Sequence, residues 1–397
     1  MDRSELLEVL SPEGLRLLDS LPPYHSERDV LRMVSDLRKA GHSPGLVAAV
    51  LTQAKLRSKA QAKFGPFADR MLFTEAGLEQ ATRLPVAAHH AGRFAAAKLD
   101  RIADLGCGIG GDAMAIASLE LDVAAVEADE VTAAIASYNL APFPNVSVRH
   151  GRAEEVDLRG IDGVFLDPAR RTAGHGQTSR LTDPDDYSPS LGFAFELATG
   201  RSVGVKLGPG LDRDLIPSSA EAQWVSVDGQ LVEMGLWFGA LARPGIRRSA
   251  LVLAGGATDE LTAASDSDDA ETGALGDYLY EPNGAVIRAR LIGDLARRLD
   301  ARMVGNGIAY LTADSAVRTP FATGFRVLET LPYQERELKR ALKQRGIGTL
   351  EIKKRGVDVD PAALRKRLTL TGSTSATIVL TRVAGRHTAL LVERLGD

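Results

Sequence analysis

The chain has 397 residues, of which 44% are hydrophobic and 25% are charged, so it holds enough apolar material for two or three domains. Its single cysteine excludes an internal disulfide framework and a cysteine-based zinc site, and the seven histidines show no metal-ligand spacing. Acidic residues near the N-terminus argue against a signal peptide, and no apolar run approaches the roughly 20 residues of a membrane helix. We therefore expect a cytoplasmic protein without a membrane segment or a metal.

The net charge of −4 is unevenly distributed. From residue 277 onward, 21 Lys and Arg stand against 13 Asp and Glu, so the last third is basic and the rest is acidic. This asymmetry is typical of a protein with a polyanionic partner, although a solvated basic face would give the same count.

Residues 1–95 are predicted to form a helical region, because apolar residues recur there at helical spacing, as in Leu6, Leu7 and Leu10. Ser43 followed by Pro44 is typical of an N-cap and the first residue of a helix.

From residue 101 onward, short apolar runs alternate with helical segments, which predicts a parallel, doubly wound sheet in a domain at 96–255. The end of this domain, 230–253, is expected to hold antiparallel strands. The predicted strands are 102–105, 123–126, 146–148, 163–166, 203–207, 224–227 and 251–253.

Residues 256–276 contain six acidic residues and no basic ones, which predicts a flexible linker and a domain boundary. The last segment, 277–397, is predicted to be a small α+β unit. Its elements include a helix at 285–299, a helix capped by Asp360 with Pro361 at its first position, and a hairpin at 384–387.

The first predicted strand ends at Asp104 and Leu105 and runs into a glycine-rich loop, 106–111, that precedes a helix. Glycine permits a sharp turn and the close approach of a ligand, and the helix N-terminus adds unbonded N–H groups. A carboxylate at Asp104 favours a cationic ligand and repels a pyrophosphate. Glu127 ends the next strand, where it is placed to bind ribose hydroxyls.

Gly106, Gly108 and Gly111 also fit the G-x-G-x-x-G pattern of dinucleotide-binding proteins. One alternative is therefore an NAD-dependent Rossmann oxidoreductase, and a second is a non-catalytic RNA-binding protein that keeps a relic cofactor pocket.

The fourth predicted strand ends in Asp167-Pro168-Ala169-Arg170, at the edge of the sheet where α/β proteins bind ligands. Asp167 can accept a hydrogen bond from a target amine, Pro168 fixes the backbone that follows, and Arg170 and its neighbour Arg171 can contact a phosphate or a base edge. The alternative is that Asp167 has only a structural role, as a helix cap or a turn residue. Lys206 follows the fifth strand and is expected either to bind phosphate or to be a surface lysine.

Three segments resemble the motifs of class I S-adenosylmethionine-dependent methyltransferases: 104–112 is similar to motif I, 126–129 to motif II and 165–170 to motif IV. The last resembles a variant found in several RNA methyltransferases. More narrowly, segments 63–65, 73–74, 77–83 and 351–356 resemble bacterial methyltransferases with a C-terminal THUMP-like domain. The resemblance implies an α/β fold, with a Rossmann-like seven-stranded methyltransferase domain between the N-terminal helical region and an α+β THUMP-like domain at 277–397.

The resemblance also implies roles for individual residues around S-adenosylmethionine. Glu127 is expected to hold the ribose. Many relatives have Gly-Asp near the adenine, but this chain has Gly151-Arg152-Ala153-Glu154, so either the Ala153 backbone or Glu154 is expected to substitute. The residues expected to line the methionine part of the cofactor are Asp104, Gly106, Gly108 and Gly110.

A nucleobase nitrogen is the expected methyl acceptor. Methylation at pyrimidine C5 normally needs a cysteine nucleophile, and the sole cysteine, Cys107, lies in the cofactor loop.

Basic residues cluster in the THUMP-like segment, where 11 basic and 4 acidic residues lie between positions 336 and 367. Lys353, Lys354 and Arg355 form one of three clusters that predict a phosphate-binding face, and the resemblance implies RNA, either tRNA or rRNA, as the partner. A solubilising face is the alternative. Gln80 and Arg83 precede motif I by about one helix and are expected to reach the substrate, with surface exposure as the alternative.

Overall fold

The computed structural model describes residues 1–22, 27–170 and 187–396. The chain forms two compact units. The first comprises Met1–Leu207, Leu211–Ala220 and Leu236–Ala242, and the second comprises Gly208–Gly210, Glu221–Gly235 and Arg243–Asp397. These bounds differ from the predicted domain limits at 255 and 277.

The first unit begins with six helices, as the apolar periodicity predicts for residues 1–95. Ser43 caps α4, its hydroxyl accepting the Leu46 N–H at 3.1 Å, and Pro44 is the first helical residue, which confirms the predicted helix start. A 3₁₀ helix, Gly65–Arg70, follows α4. The helices are α1 (Arg3–Leu10), α2 (Pro12–Ser20), α3 (Glu27–Lys39), α4 (Pro44–Phe64), α5 (Glu75–Gln80) and α6 (Leu84–Ala96).

Strands and helices then alternate, and among the described residues five parallel strands form the sheet of the first unit, in the order β7-β4-β1-β2-β3. The strand order reverses between β1 and β4, which is where ligands bind in doubly wound folds. A short antiparallel pair, β5 with β6, lies outside this sheet. The elements are β1 (Arg101–Leu105), α7 (Gly111–Ala117), β2 (Asp122–Glu127), α8 (Glu130–Leu140), β3 (Val146–His150), β4 (Gly163–Leu166), β5 (Ala169–Arg170), β6 (Tyr187–Ser188), α9 (Leu191–Ala198) and β7 (Ser202–Leu207).

Four further strands bring this sheet to nine, in the order β11-β10-β8-β9-β7-β4-β1-β2-β3, where the sequence predicted seven. β9 is shared between the units, because its last two residues, Leu236 and Trp237, belong to the first. β10 runs antiparallel to β11, as expected for the end of this domain, but it runs parallel to β8. The added strands are β8 (Glu221–Val227), β9 (Gln230–Trp237), β10 (Arg248–Ala254) and β11 (Ala257–Ala263).

The prediction of a flexible linker at 256–276 is wrong for its first part, because β11 pairs with β10 along its whole length. The acidic composition of this segment does not make it flexible, because basic residues of the same unit form ion pairs with its carboxylates. Arg243 binds Glu260 at 2.6 Å, Arg248 binds Asp266 at 2.6 Å, and Leu261 is buried. Residues beyond β11 are also bonded, as in the hydrogen bond from the Ser267 N–H to the Arg290 carbonyl at 2.9 Å.

The rest of the second unit is a seven-stranded sheet with four helices, in the strand order β13-β14-β12-β15-β18-β17-β16. The cap at Asp360 and the hairpin joining β17 to β18 are confirmed. The helix predicted at 285–299 is two helices, broken near Arg290, whose φ is +59°. The elements are β12 (Tyr278–Pro282), α10 (Gly284–Arg288), α11 (Ile292–Leu299), β13 (Arg302–Met303), β14 (Leu311–Ala313), β15 (Ala322–Leu331), α12 (Glu335–Gln344), β16 (Ile347–Lys354), α13 (Pro361–Leu368), β17 (Thr374–Val383) and β18 (Arg386–Arg394).

Candidate cofactor and active site

The glycine loop after β1 has backbone angles and close contacts that residues with a Cβ would not tolerate. Gly106 and Gly110 have φ of +89° and +92°, and a Cβ on Gly110 would lie 2.9 Å from the Leu140 side chain. A Cβ on Gly106 would lie 3.3 Å from the Asp167 carbonyl oxygen. At Gly108, by contrast, the space on the Cβ side is open to 4 Å. The loop therefore brings the backbone close to the β4 end and leaves room beside Gly108 for a ligand.

Asp104 lies at the C-terminal end of β1 with a carboxylate that is 1% exposed, and neither of its oxygens has a hydrogen-bond partner. Burial raises the pKa of this carboxyl well above its ordinary value, and the nearby carboxylates of Asp112 and Asp167 raise it further. A buried, unpartnered carboxylate is costly. A cationic or N–H-bearing ligand at the loop would relieve that cost. This agrees with the expectation from the sequence that Asp104 favours a cationic ligand.

Glu127, at the end of β2, lies against the glycine loop. One carboxylate oxygen accepts the Gly108 N–H at 3.0 Å, and the other accepts the Asp129 N–H at 2.9 Å. Ala153 is buried and begins a 3₁₀ helix, while Arg152 pairs with Glu154 at 3.5 Å. Glu127, the predicted ribose ligand, thus ends β2, and Ala153, the predicted adenine contact, follows β3. These are the two strands beyond β1 in the sheet.

Asp167 follows β4 directly and is paired with Lys206 of β7, whose ammonium donates to the Asp167 carboxylate. The same ammonium donates to the Thr82 hydroxyl at 3.1 Å and reaches the Gln80 carbonyl at 3.4 Å. Lys206 is 9% exposed. Its burial contradicts the surface-lysine alternative, and its ammonium is directed at groups of the protein rather than at a phosphate.

A buried polar chain that the sequence did not predict continues from Thr82 into the core. The Thr82 hydroxyl donates to one oxygen of Asp112 at 2.7 Å, and His90 Nδ1 lies 2.8 Å from the other. Burial raises the pKa of Asp112, but His90, together with Lys206 and Thr82, brings it below its ordinary value. His90 packs against both Phe165 and Trp237 on the buried face of α6. In the sequence, only the apolar helical spacing of α6 could have indicated that it is buried.

The turn between α5 and α6 carries Gln80 and Arg83, both predicted to reach the substrate. Lys63 fixes this turn, because its ammonium donates to the carbonyls of Leu78, Glu79 and Ala81 at 2.6–2.8 Å. Burial, with the charges of Lys206 and Arg83, lowers the pKa of Lys63 to about 8. The Gln80 side chain is exposed and Arg83 is half-buried, so the Gln80 contact in this site is made by its backbone.

The remaining predicted residues have mixed outcomes. Pro168 is buried behind Asp167. Arg170 contributes backbone to β5, its side chain is not described, and Arg171 lies outside the described residues. Cys107 is buried, which raises the pKa of its thiol, as expected for a packing residue rather than a nucleophile.

The predicted basic cluster Lys353, Lys354 and Arg355 is corrected by the structure. Lys353 forms an ion pair with Glu281 of β12 at 2.6 Å, and the Arg355 guanidinium lies 5.3 Å from the centre of the Tyr310 ring. Both are half-buried, and Lys354 alone of the three is exposed. Two of the three residues therefore stabilise the sheet of the second unit, because their charged groups are directed at neighbouring strands and loops.

A basic stripe on α12 is exposed to solvent, unlike Lys353 and Arg355. Arg336, Arg340 and Lys343 are exposed and lie at i, i+4 and i+7, on one face of the helix. The buried residues Leu338 and Leu342 lie on the opposite face.

Within the described ranges, no helix is long and apolar enough to cross a bilayer. In that same part of the chain, no three His, Cys, Asp or Glu side chains converge to hold a metal ion.

Comparisons with known proteins agree with this geometry. Residues 322–394 match the family model described as THUMP domain-like, and residues 2–60 match a domain of unknown function, DUF8688. Two S-adenosylmethionine-dependent methyltransferases of Mycobacterium tuberculosis, from strains CDC 1551 and H37Rv, are each 35% identical over 355 residues, covering 87% of this chain and 94% of the relative. A crystallised candidate methyltransferase from Porphyromonas gingivalis W83 shares the fold, with a TM-score of 0.75, 21% identity and full coverage of both chains.

The similarity to these methyltransferases extends over most of the chain. It agrees with the glycine loop and the unpartnered Asp104 carboxylate, and together these observations exclude the NAD-dependent oxidoreductase alternative. S-adenosylmethionine is the cofactor. The chain belongs to the class I S-adenosylmethionine-dependent methyltransferases that carry a C-terminal THUMP-like domain.

Proposed function

We propose that this enzyme methylates a nucleobase nitrogen in RNA, either tRNA or rRNA. The observation that carries the proposal is the position of Asp167, a carboxylate that follows β4 beside the cofactor loop and is half-exposed. A carboxylate there can accept a hydrogen bond from an amine or ring N–H and so orient the nitrogen for attack.

The cofactor is held, in this proposal, by the residues around the loop. S-adenosylmethionine supplies a methyl group on a positively charged sulfur. The buried Asp104 carboxylate, which has no partner in the protein, favours that positive charge or the cofactor's ammonium group. Gly106, Gly108 and Gly110 give the backbone access, while Glu127 and Ala153 bind the ribose and the adenine.

S-adenosylmethionine held by these residues would supply the methyl group to the substrate nitrogen, and Asp167 or solvent would take the proton that the nitrogen loses. Pro168 fixes the backbone behind the carboxylate. Gln80, Arg83 and Arg170 are the candidate contacts to the nucleotide, and the two arginines suit its phosphate. The buried Cys107 takes no part, which favours nitrogen over pyrimidine C5.

RNA as the substrate is supported by the basic stripe, Arg336, Arg340 and Lys343 on α12. Its charges point away from the buried face of the helix, as phosphate-binding residues do, and exposed Lys354 and Lys366 lie in the same THUMP-like segment. Aromatic residues are sparse there, so phosphate contacts rather than base stacking are expected to dominate.

The test is mass spectrometry of nucleosides from cells that carry or lack the gene, followed by methyl transfer to the purified unmodified RNA. We expect one methylated nucleoside to disappear in the deletion strain. Asp167→Ala should then lose at least about 100-fold in turnover, the scale of a positioned acid or base, while it still binds S-adenosylmethionine. Asp122→Ala, an exposed aspartate at the start of β2, is the matched control.

Unchanged nucleosides and no transfer to any cellular RNA would remove RNA as the substrate. Equal turnover in Asp167→Ala and its control would remove Asp167 from the active site.

A further inference from the structure

The ion pair between Asp167 and Lys206 lies at the point where β4 and β7 end side by side. Leu166 is in register with Val205, so the next residues of the two strands are Asp167 and Lys206. The Lys206 side chain is 11% exposed and that of Asp167 is 31% exposed, so the lysine is the more deeply buried partner and the carboxylate is the one that solvent or a ligand can reach.

The lysine is held in place from three elements. The turn before α6 supplies the Thr82 hydroxyl and the Gln80 carbonyl, α7 supplies Asp112 behind Thr82, and His90 of α6 fixes Asp112. Burying a charged lysine is costly, and hydrophobic residues often replace buried pairs without loss of stability. A buried ion pair at a ligand-binding edge therefore points to a role beyond stability.

The charges around Asp167 show what that role is. The charge of Asp167, together with those of Asp112 and Glu127, raises the pKa of the buried Asp104, so Asp167 belongs to a cluster of four carboxylates on neighbouring elements. Lys206 opposes them at contact distance. Two further cations belong to this region, because the charges of Lys206 and Arg83 both help to lower the pKa of Lys63.

We propose that Lys206 is a positioning residue for methyl transfer, which keeps the Asp167 carboxylate ionised and oriented so that it accepts the N–H of the methyl acceptor. This inference rests on the proposed function in that Asp167 is taken as the residue that orients the substrate nitrogen. It also narrows the substrate class, because an ionised Asp167 selects a nitrogen that carries a hydrogen, such as an exocyclic amine or a protonated ring nitrogen, over an acceptor-only nitrogen.

The experiment is a carboxyl titration by NMR on the full chain labelled with ¹³C at aspartate Cγ, with the Asp167 signal assigned by its loss in Asp167→Asn. Parent, Lys206→Met and Lys206→Arg are titrated without substrate. We expect the Asp167 signal to titrate about 1 pH unit or more higher in Lys206→Met, since an adjacent opposite charge shifts a carboxyl by that amount. Lys206→Arg keeps the charge and should titrate like the parent.

Thr82→Val provides a second variant if Lys206→Met does not fold. It removes the hydroxyl that joins Lys206 to Asp112 with little change of shape, and it should move the Asp167 titration in the same direction by a smaller amount. An Asp167 signal that titrates identically in the parent and in whichever of these variants folds would overturn the inference.

Turnover separates this inference from the proposed function. With an identified RNA substrate, Lys206→Met should move the acid limb of the kcat/KM profile to higher pH, and Lys206→Arg should restore its position. A loss of rate with an unmoved acid limb would mean a structural role only. Failure of the parent to methylate any RNA would refute the proposed function and leave the titration to decide the role of Lys206.

Discussion

At the scale of single residues, the site is defined by a carboxylate that the protein leaves unsatisfied. Asp104 is buried at the end of β1 without a hydrogen-bond partner, and Asp112 and Asp167 add negative charge beside it. The cofactor-free enzyme thus carries a local instability that a cationic ligand removes, so binding and stability are expected to oppose each other at this position.

Asp104→Asn is expected to stabilise the cofactor-free protein at pH 8 by about 1–3 kcal/mol, because folding disfavours the ionised form of this buried carboxyl and Asn has no such form. The raised pKa means that this carboxyl favours folding when protonated, and that this contribution is lost as the pH rises from about 3.8 through the raised value. The advantage of the variant should therefore shrink toward acidic pH. Urea unfolding at both pH values measures it.

The same Asp104→Asn substitution should weaken the binding of S-adenosylmethionine, so it should raise stability and lower affinity. Asp122→Asn at an exposed position of β2 is the control and should change neither quantity by more than about 0.5 kcal/mol. An Asp104→Asn variant that is less stable than the parent at pH 8 would contradict the account of this carboxylate.

The sequence singled out Asp104 and Asp167 because the first lies at the end of a buried parallel strand and the second directly follows one, and strand ends are local features. It could not predict the Lys206–Thr82–Asp112–His90 chain. Those four residues come from four separate elements, and their contacts depend on how α6 packs on the sheet.

At the scale of elements, the segment that looked like a linker shows where composition misleads. The acidic residues of β11 are compatible with a strand because Arg243 supplies the opposite charge. Its guanidinium binds both Glu221, which is fully buried, and Glu260 at 2.6 Å. A count of charges along the chain cannot detect such pairing, which depends on the register of β8, β10 and β11.

Arg243→Met should lower the free energy of unfolding by about 3 kcal/mol, because two carboxylates, one of them fully buried, lose their shared partner. Arg248→Met, which removes the more exposed pair with Asp266, is the matched control and should cost less than about 1 kcal/mol. Chemical denaturation measures both. Equal losses in the two variants would show that the Arg243 cluster does not hold β11 in place.

At the scale of the whole molecule, a cofactor-binding unit is joined in one chain to a unit with a basic helix. The sequence correctly located the excess of positive charge but assigned it in part to the wrong residues. Lys353 lies in β16 and Arg355 directly follows it, and the two are directed at Glu281 and Tyr310. The helical spacing of Arg336, Arg340 and Lys343 keeps all three exposed.

Replacing Arg336, Arg340 and Lys343 together with Gln should weaken binding of total tRNA and reduce the slope of log affinity against log salt by roughly 2–3, since each lost phosphate contact removes 0.7–0.9. Fluorescence anisotropy at several salt concentrations measures the slope. The charge-matched control is Arg16→Gln, Lys55→Gln and Arg70→Gln, three exposed positions in the first unit. A slope that changes as much in the control would exclude the basic stripe as the phosphate-binding face.

The central claim is that the loop after β1 binds S-adenosylmethionine through the carboxylate of Asp104. Calorimetric titration of the purified chain with S-adenosylmethionine, and separately with NAD and NADH, tests it most directly. We expect one molecule of S-adenosylmethionine per chain, much weaker binding by Asp104→Asn, and no heat from either dinucleotide. Heat from NAD or NADH with none from S-adenosylmethionine would contradict the account.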